Sequence, residues 1–435
     1  MPGATRRPVT RRPSPHSRYA GPIVTIEAGG PDTRRTATLA TLFLAVFIAL
    51  LGLGIVIPLL PVFADGLGAS GIMIGLMVAG FSISRGVLQP FVGSMSDRHG
   101  RKRFLVTGLL IYSVVGFLFT LATSVEHLIL IRIVHGVGSA MIVPIAMSYV
   151  ASFAPKGEEG RYMGSLNMAL FSGIGFGPII GGVFRDTLGF DAAFYAMSAA
   201  GALSMTLVVI LLPGDVKLEG RPVPPPVLQT MRRMAGNVRL MGVLLSRMST
   251  MFIMVPLMAF LPLLMTKFMD ASGLQIGIVI AGRTLVNAVL QIPFGGLVDR
   301  VNRTSLLITG SLIVVAATSV IPFVESFPGL IVVFMVIGSG EALVWPTLGA
   351  LATEEGREYG QGAMMGVFNM AMSVGILFGS LTGGVTVDTL GLKYTFPIIA
   401  AVLAGTTFVS AAMIRSPSRA VPQAVPADSL AGSKS

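Results

Sequence analysis

Long apolar stretches separated by short polar ones set the rhythm of this chain. Between residues 36 and 414 they recur at 36–64, 71–94, 104–123, 127–152, 162–184, 191–212, 240–266, 274–297, 304–323, 328–351, 361–385 and 393–414. Each approaches or exceeds the roughly 20 residues with which an α-helix crosses the hydrocarbon of a bilayer. A helix satisfies its own backbone groups, so it is the element such runs form in lipid. Glycine and proline inside the runs do not weaken the reading, because membrane helices tolerate both. The pattern predicts an all-α membrane protein with twelve transmembrane helices.

The polar stretches fix an orientation. With twelve spans both termini lie on one side. That side, with the loops after helices 2, 4, 6, 8 and 10, holds 24 of the 31 Lys and Arg residues; the other side holds Arg185, Lys267 and Lys393. The remaining four, Arg85, Arg132, Arg247 and Arg283, fall inside spans. Basic residues stay in the cytoplasm, so both termini are expected there, in a multi-pass protein of the cell membrane. Residues 1–35 are polar, arginine-rich and proline-rich, and read as a disordered cytoplasmic tail, as do residues 415–435. A secretory signal fits the first segment poorly, since the apolar run from Ala37 to Ala64 is too long and ends at Asp65 without a small-residue cleavage site. The proline-rich, basic stretch 213–239 reads as a cytoplasmic linker between bundles at 36–212 and 240–414.

A repeat supports that division. Shifting the chain by 202 residues aligns GSLNMALFSGIGFGPIIGGVFRDTLGFDAAF (164–194) with GVFNMAMSVGILFGSLTGGVTVDTLGLKYTF (366–396), identical at 16 of 31 positions without a gap. Shared apolar composition does not explain matched polar positions such as Asn167 with Asn369 and Asp186 with Asp388. Two six-helix halves in the same orientation form a parallel repeat, related by an axis along the membrane normal.

Composition removes other classes of function. Hydrophobic residues make up 53% and charged residues 12%, with mean hydropathy +0.80. The net charge of +11 sits mostly in tails and short loops, so no nucleic acid partner is expected. There is no cysteine, the four histidines are scattered, and there is no Gly-x-x-x-x-Gly-Lys phosphate loop. An enzyme, a metal site, a bound cofactor and ATP as the driving force are therefore not expected.

Two motifs repeat the 202-residue register. Gly93, Asp97, Arg98 and Arg101 follow helix 2, and Gly295, Asp299, Arg300 and Arg303 follow helix 8, each in the frame Gly-x-x-x-Asp-Arg-x-x-Arg. Glycine lets two helices approach, the aspartate can face a helix N-terminus, and the arginines can pair with carboxylates on the opposite half. Helix 5 carries Gly173-x-x-x-Gly177-Pro178-x-x-Gly181-Gly182, a flat face for close packing with a proline that permits a bend.

The first of these loops, with Gly93, Asp97, Arg98, Gly100, Arg101 and Lys102, resembles the loop signature of the major facilitator superfamily. The second copy departs at Asn302 and Thr304. In that superfamily the loop acts as a conformational latch rather than a substrate site. The Gly-Pro-x-x-Gly-Gly element of helix 5 is similar to that of its proton-coupled drug exporters, and Leu51–Pro61 looks like their first helix. The resemblance implies the major facilitator fold, two bundles rocking around a central cavity, and an antiporter exchanging protons for a small-molecule substrate, working as a monomer in the lipid bilayer.

Candidate cavity residues follow from polarity inside the spans. Glu341 in helix 10 is the one mid-span carboxylate. A lone ionised carboxylate is costly there, so it is protonated or paired. Two readings stand: a proton carrier, or a permanent bridge to Arg283 of helix 8. Arg283, Asn287 and Gln291 form a polar stripe at four-residue spacing, and Trp345 follows Glu341 by one turn. Trp345, the sole tryptophan, could stack on an aromatic or cationic substrate. In helix 4, Arg132 matches an arginine implicated in proton transfer in the superfamily, or is simply held by hydrogen bonds. His135, where glutamine is common, either titrates or packs neutral. The acid that many such exporters carry in helix 1 or 4 is missing. Methionine and phenylalanine, 25 each, suit an adaptable apolar cavity. The expected function is proton-coupled export of small amphipathic compounds. The alternatives are export of one metabolite (a sugar, amino acid or lipid) and a transporter-like sensor, which the short polar C-terminal segment disfavours.

Overall fold

A computed structural model describes residues 32–153, 159–213, 232–298, 300–359 and 361–416. Among these, twelve helices are long and apolar enough to cross a membrane. In chain order they are α1 (Asp32–Val56, resuming at Leu59–Gly66), α2 (Gly71–His99), α3 (Arg101–Thr120), α4 (Val125–Phe153), α5 (Glu159–Leu188), α6 (Phe190–Leu211), α7 (Val238–Val255, continuing to Met269), α8 (Gly273–Val298), α9 (Arg303–Val320), α10 (Phe327–Tyr359), α11 (Gln361–Leu390) and α12 (Leu392–Arg415). The twelve predicted spans are all present.

The differences lie at the ends. Gly93–His99, expected as loop, is the last part of α2. Hydropathy marks where the bilayer ends, whereas the helix runs on until Gly100 breaks it with φ of 105°. Likewise α10 carries Glu354 and Glu355 on its final turns rather than in a loop. The α5–α6 and α11–α12 turns each use a glycine with positive φ, Gly189 (88°) and Gly391 (95°), 202 residues apart as the repeat requires. Two helices are broken: α1 at Ile57–Pro58 and α7 by a π-turn at Pro256–Phe260. Proline removes a backbone donor at both places.

Within the first half α1 packs on α5 and α6, and α2 and α3 pack on α4. The second half repeats this with α7 on α11 and α12, and α8 and α9 on α10. The halves meet where α5 runs along α8 and α2 along α11. The helix 5 glycines explain the closeness. A Cβ on Gly173 would stand 2.6 Å from the Phe47 carbonyl oxygen, and one on Gly177 would stand 2.5 Å from Cα of Gly54 in α1. Gly182 and Pro178 face the other way, against Gly273 and Gly277 of α8. Gly177→Ala is expected to cost about 1–3 kcal/mol by overpacking backbone against backbone. The check is the unfolding midpoint of the detergent-solubilised protein, with Gly164→Ala as the control, since a Cβ there meets nothing within 4 Å.

Candidate functional site

Every polar side chain buried between these helices needs a partner, and the partners define three clusters. The first lies inside the second half. Arg283 Nη2 of α8 donates to Glu341 Oε1 of α10 at 2.5 Å, and each residue is 3% exposed. Gly338, one turn earlier on α10, brings that helix against the Arg283 backbone. Thr250, Ser311 and Leu403 line a cavity of about 10 Å³ beside Glu341, room for one water at most. The α8 stripe continues toward the side of the chain termini, where Gln291 Nε2 donates to Asn287 Oδ1 at 2.5 Å. One buried nitrogen of Asn287 is left without a partner.

The second cluster lies inside the first half. The Arg132 guanidinium sits 4.4 Å over the Phe81 ring and donates to His135 Nδ1 at 3.4 Å. An arginine only donates, so that nitrogen accepts and the ring is the neutral Nε2–H tautomer. His135 is fully buried among Phe81, Tyr112 and Phe119, with ring centroids 4.6–6.2 Å away. Arg132 and His135 are thus brought together, but Glu341 and Arg283 pair separately in the other half.

Trp345 belongs to a third cluster, at the seam. Its ring lies 5.6 Å from Phe171 of α5 and 5.4 Å from the guanidinium of Arg247 on α7. That guanidinium also covers Phe368 of α11 at 4.8 Å. Arg247 and Phe171 were not among the residues singled out by sequence. Arg247 stood out only as a charge inside a span.

The helix ends differ between the two faces. On the face of the termini, four basic residues find partners within their own halves. Arg101 donates to the Ser148 carbonyl at 2.8 Å, and Lys102 donates to the Val209 and Leu212 carbonyls where α6 ends. Arg303 finds Glu354 at 2.8 Å, and Arg239 reaches Glu354 and Glu355 at 3.0 and 3.1 Å. Pairing of Arg303 with the opposite half was the expectation. Its partner is instead in the same half, because α9 starts where the adjacent antiparallel α10 ends. Arg300 is exposed, and Gly295 has no neighbour within 4 Å of where a Cβ would stand. Asp299, the surroundings of Gly93, and the side chains of Asp97 and Arg98 lie outside the described residues.

On the opposite face carboxylates join the halves. Asp186, at the end of α5, accepts from the backbone N–H groups of Gly273 and Leu274 at 2.7 and 2.8 Å. Asp388, at the end of α11, accepts from Gly71 and Ile72 at 2.6 and 2.9 Å. Each caps the N-terminus of a helix in the other half, where backbone donors are free and the helix dipole is positive. Asp65 and Lys267 close the same face with a 2.7 Å ion pair. Sequence reading noted the matched aspartates without their partners. The signal was available, since Gly71 and Gly273 keep the same offset.

Comparison with known proteins bears on the whole arrangement. The model of the Major Facilitator Superfamily matches residues 42–268 and again 239–432. The chain belongs to the major facilitator superfamily. Among superfamily members, it is 30% identical over 371 residues to multidrug resistance protein 2 of Bacillus subtilis, covering 81% of this chain and 88% of that protein. It is 28% identical over 369 residues to an MFS-type transporter of Methanocaldococcus jannaschii, covering 84% of this chain and 95% of the relative. Among solved structures, the nucleoside transporter NupG superposes with a TM-score of 0.73 at 14% identity, covering 86% of this chain and 99% of that one. This last likeness shares the superfamily fold.

Proposed function

We propose that this transporter exports small amphipathic compounds in exchange for protons, by alternating access, from a cell membrane whose cytoplasmic side holds both termini. The observation that carries the proton part is the Glu341–Arg283 pair, a carboxylate and a guanidinium buried together between two spans. A proton arriving at Glu341 neutralises it and frees Arg283, and a helix movement that restores the pair expels the proton. The export part rests on the Gly-Pro-x-x-Gly-Gly face of α5, which packs on α1 on one side and α8 on the other. The likeness to a relative named for multidrug resistance supports it. The superfamily latch on the cytoplasmic face falls to Asp97, Arg98 and Arg101 with their counterparts Asp299, Arg300 and Arg303. The 213–239 stretch links the two bundles, and one chain suffices for transport.

The test is substrate-driven proton movement in proteoliposomes of the purified protein, across a compound panel, with and without an uncoupler. Export of a compound that is indifferent to the uncoupler and moves no protons overturns the coupled reading. Orientation is tested separately. Gln229→Cys in this cysteine-free chain is expected to resist an impermeant thiol reagent in intact cells and to react once the membrane is opened. Labelling from outside reverses the topology.

A further inference from the structure

Of the four arginines inside spans, two are accounted for. Arg283 has Glu341, and Arg132 lies against Phe81 and His135. The other two, Arg85 of α2 and Arg247 of α7, come from different halves, and no carboxylate among the described residues pairs with either. The helix packing brings them to one place. Gly86 is pressed on the Ser373 side chain of α11, and Ser82 donates to the Ser373 carbonyl at 3.3 Å. The neighbouring residue, Met372, takes Arg247 Nη2 on its sulfur at 3.2 Å. So residues 372 and 373 of α11 meet α2 beside Arg85 and the Arg247 guanidinium of α7 at one stretch of the seam.

Two like charges inside a membrane protein with no counter-charge are expensive. The local hydrogen bonding does not relieve that cost. Nε of Arg85, Nε of Arg247 and Nε1 of Trp345 are each buried without a partner. A thioether sulfur is a weak acceptor for a guanidinium. Both arginines are nonetheless half-buried rather than sealed, so each keeps a surface that a ligand can reach. Aromatic faces from both halves stand here: Trp345 and Phe368 of the second half lie under Arg247, and Phe171 of the first lies against Trp345. Unpartnered donors of positive charge next to flat apolar faces are complementary to a molecule with an anionic head and an aromatic body.

We propose that Arg85, Arg247 and Trp345 form a substrate subsite for amphipathic organic anions, carboxylates or sulfonates. The guanidinium groups bind the head, and Phe171, Trp345 and Phe368 bind the body. The site rests on the export reading and narrows it, away from the cationic substrate that an aromatic cavity alone would also accept. Because it includes residues of both halves, its two arginines part when the halves rock, which weakens the site in the opposite access state.

Trp345 is the sole tryptophan of the chain, so its fluorescence reports on this site alone. The experiment titrates the full-length protein in detergent with 4-iodobenzoate, 4-iodobenzylammonium, 4-iodobenzamide and iodide, with the iodine atom as quencher. Saturable quenching by 4-iodobenzoate at a concentration at least about tenfold below the other three is expected. Arg247→Gln and Arg85→Gln are each expected to weaken the anion about tenfold or more while leaving the amide unchanged. Arg247→Lys, which keeps the charge, retains the anion preference and guards against a misfolded variant. Equal or tighter binding of the ammonium compound overturns the proposal, as does anion binding that neither Gln substitution weakens. Quenching by iodide as tight as that by 4-iodobenzoate overturns the organic part. If the anion binds as expected but is not moved by proteoliposomes, the export reading fails and the site stands. If compounds are exported regardless of charge, the site fails and the export reading stands.

Discussion

Glu341→Gln is expected to abolish proton-driven transport while leaving the shape of the side chain in place. The substitution also strands Arg283, 3% exposed, without its counter-charge. Breaking a buried pair from one side costs about 3–5 kcal/mol, so the single variant is expected to unfold at markedly lower temperature. Arg283→Gln combined with Glu341→Gln removes both charges and restores much of that stability, since replacing a whole buried pair with neutral groups is close to neutral. The double variant is therefore the informative one. It is expected to bind substrate and to exchange it passively, with no substrate-induced proton movement in proteoliposomes. Wild-type proton movement by the double variant moves the proton carrier elsewhere and leaves the pair a structural bridge. His135 is then the next residue to substitute.

Asp186→Ala together with Asp388→Ala is expected to open the face away from the termini. Each carboxylate accepts two backbone N–H groups at the start of a helix in the other half. A helix cap contributes about 1 kcal/mol, and these two hold only while that face is shut. Losing both removes about 2 kcal/mol from the closed state alone, which shifts a two-state equilibrium roughly thirtyfold. Spin labels on Gly66→Cys and Ser272→Cys, both exposed at this face, read the change as growth of a long-distance population. Asp191→Ala, which removes a nearby exposed charge at the start of α6, is the control and is expected to leave the distances as they are. Unchanged distances in the double variant mean that the caps do not hold the face closed.

What could be read from the chain depended on how local the signal was. The twelve spans and the repeat were legible because hydropathy and a fixed offset need no three-dimensional neighbour. Glu341 and Arg283 were legible as candidates because burial charges are rare in spans, and the structure adds that they touch. The caps on Gly71 and Gly273 were not read, since an aspartate at a helix end has many local uses and its real partner lies in the other half. Arg85 and Arg247 were visible as charges, but whether an arginine lacks a counter-ion is decided by every helix packed around it. The stretch Gly93–His99 was read as loop because polarity shows where lipid stops, not where backbone hydrogen bonding stops.

The Asp65–Lys267 contact carries a record of ancestry. Its two residues stand 202 positions apart, the same interval that separates the repeats, so they occupy equivalent places in the two halves. In a dimer of identical subunits a residue on the two-fold axis meets its own copy. Aspartate would have faced aspartate there, or lysine lysine, and either pairing repels. A bond of opposite charges on the axis is open only to copies that are no longer identical. The Asp186 and Asp388 caps lie off the axis and join like to like in both directions, so they would work equally well between two identical polypeptides. The same face thus holds contacts that two identical halves could make beside one that requires the halves to differ.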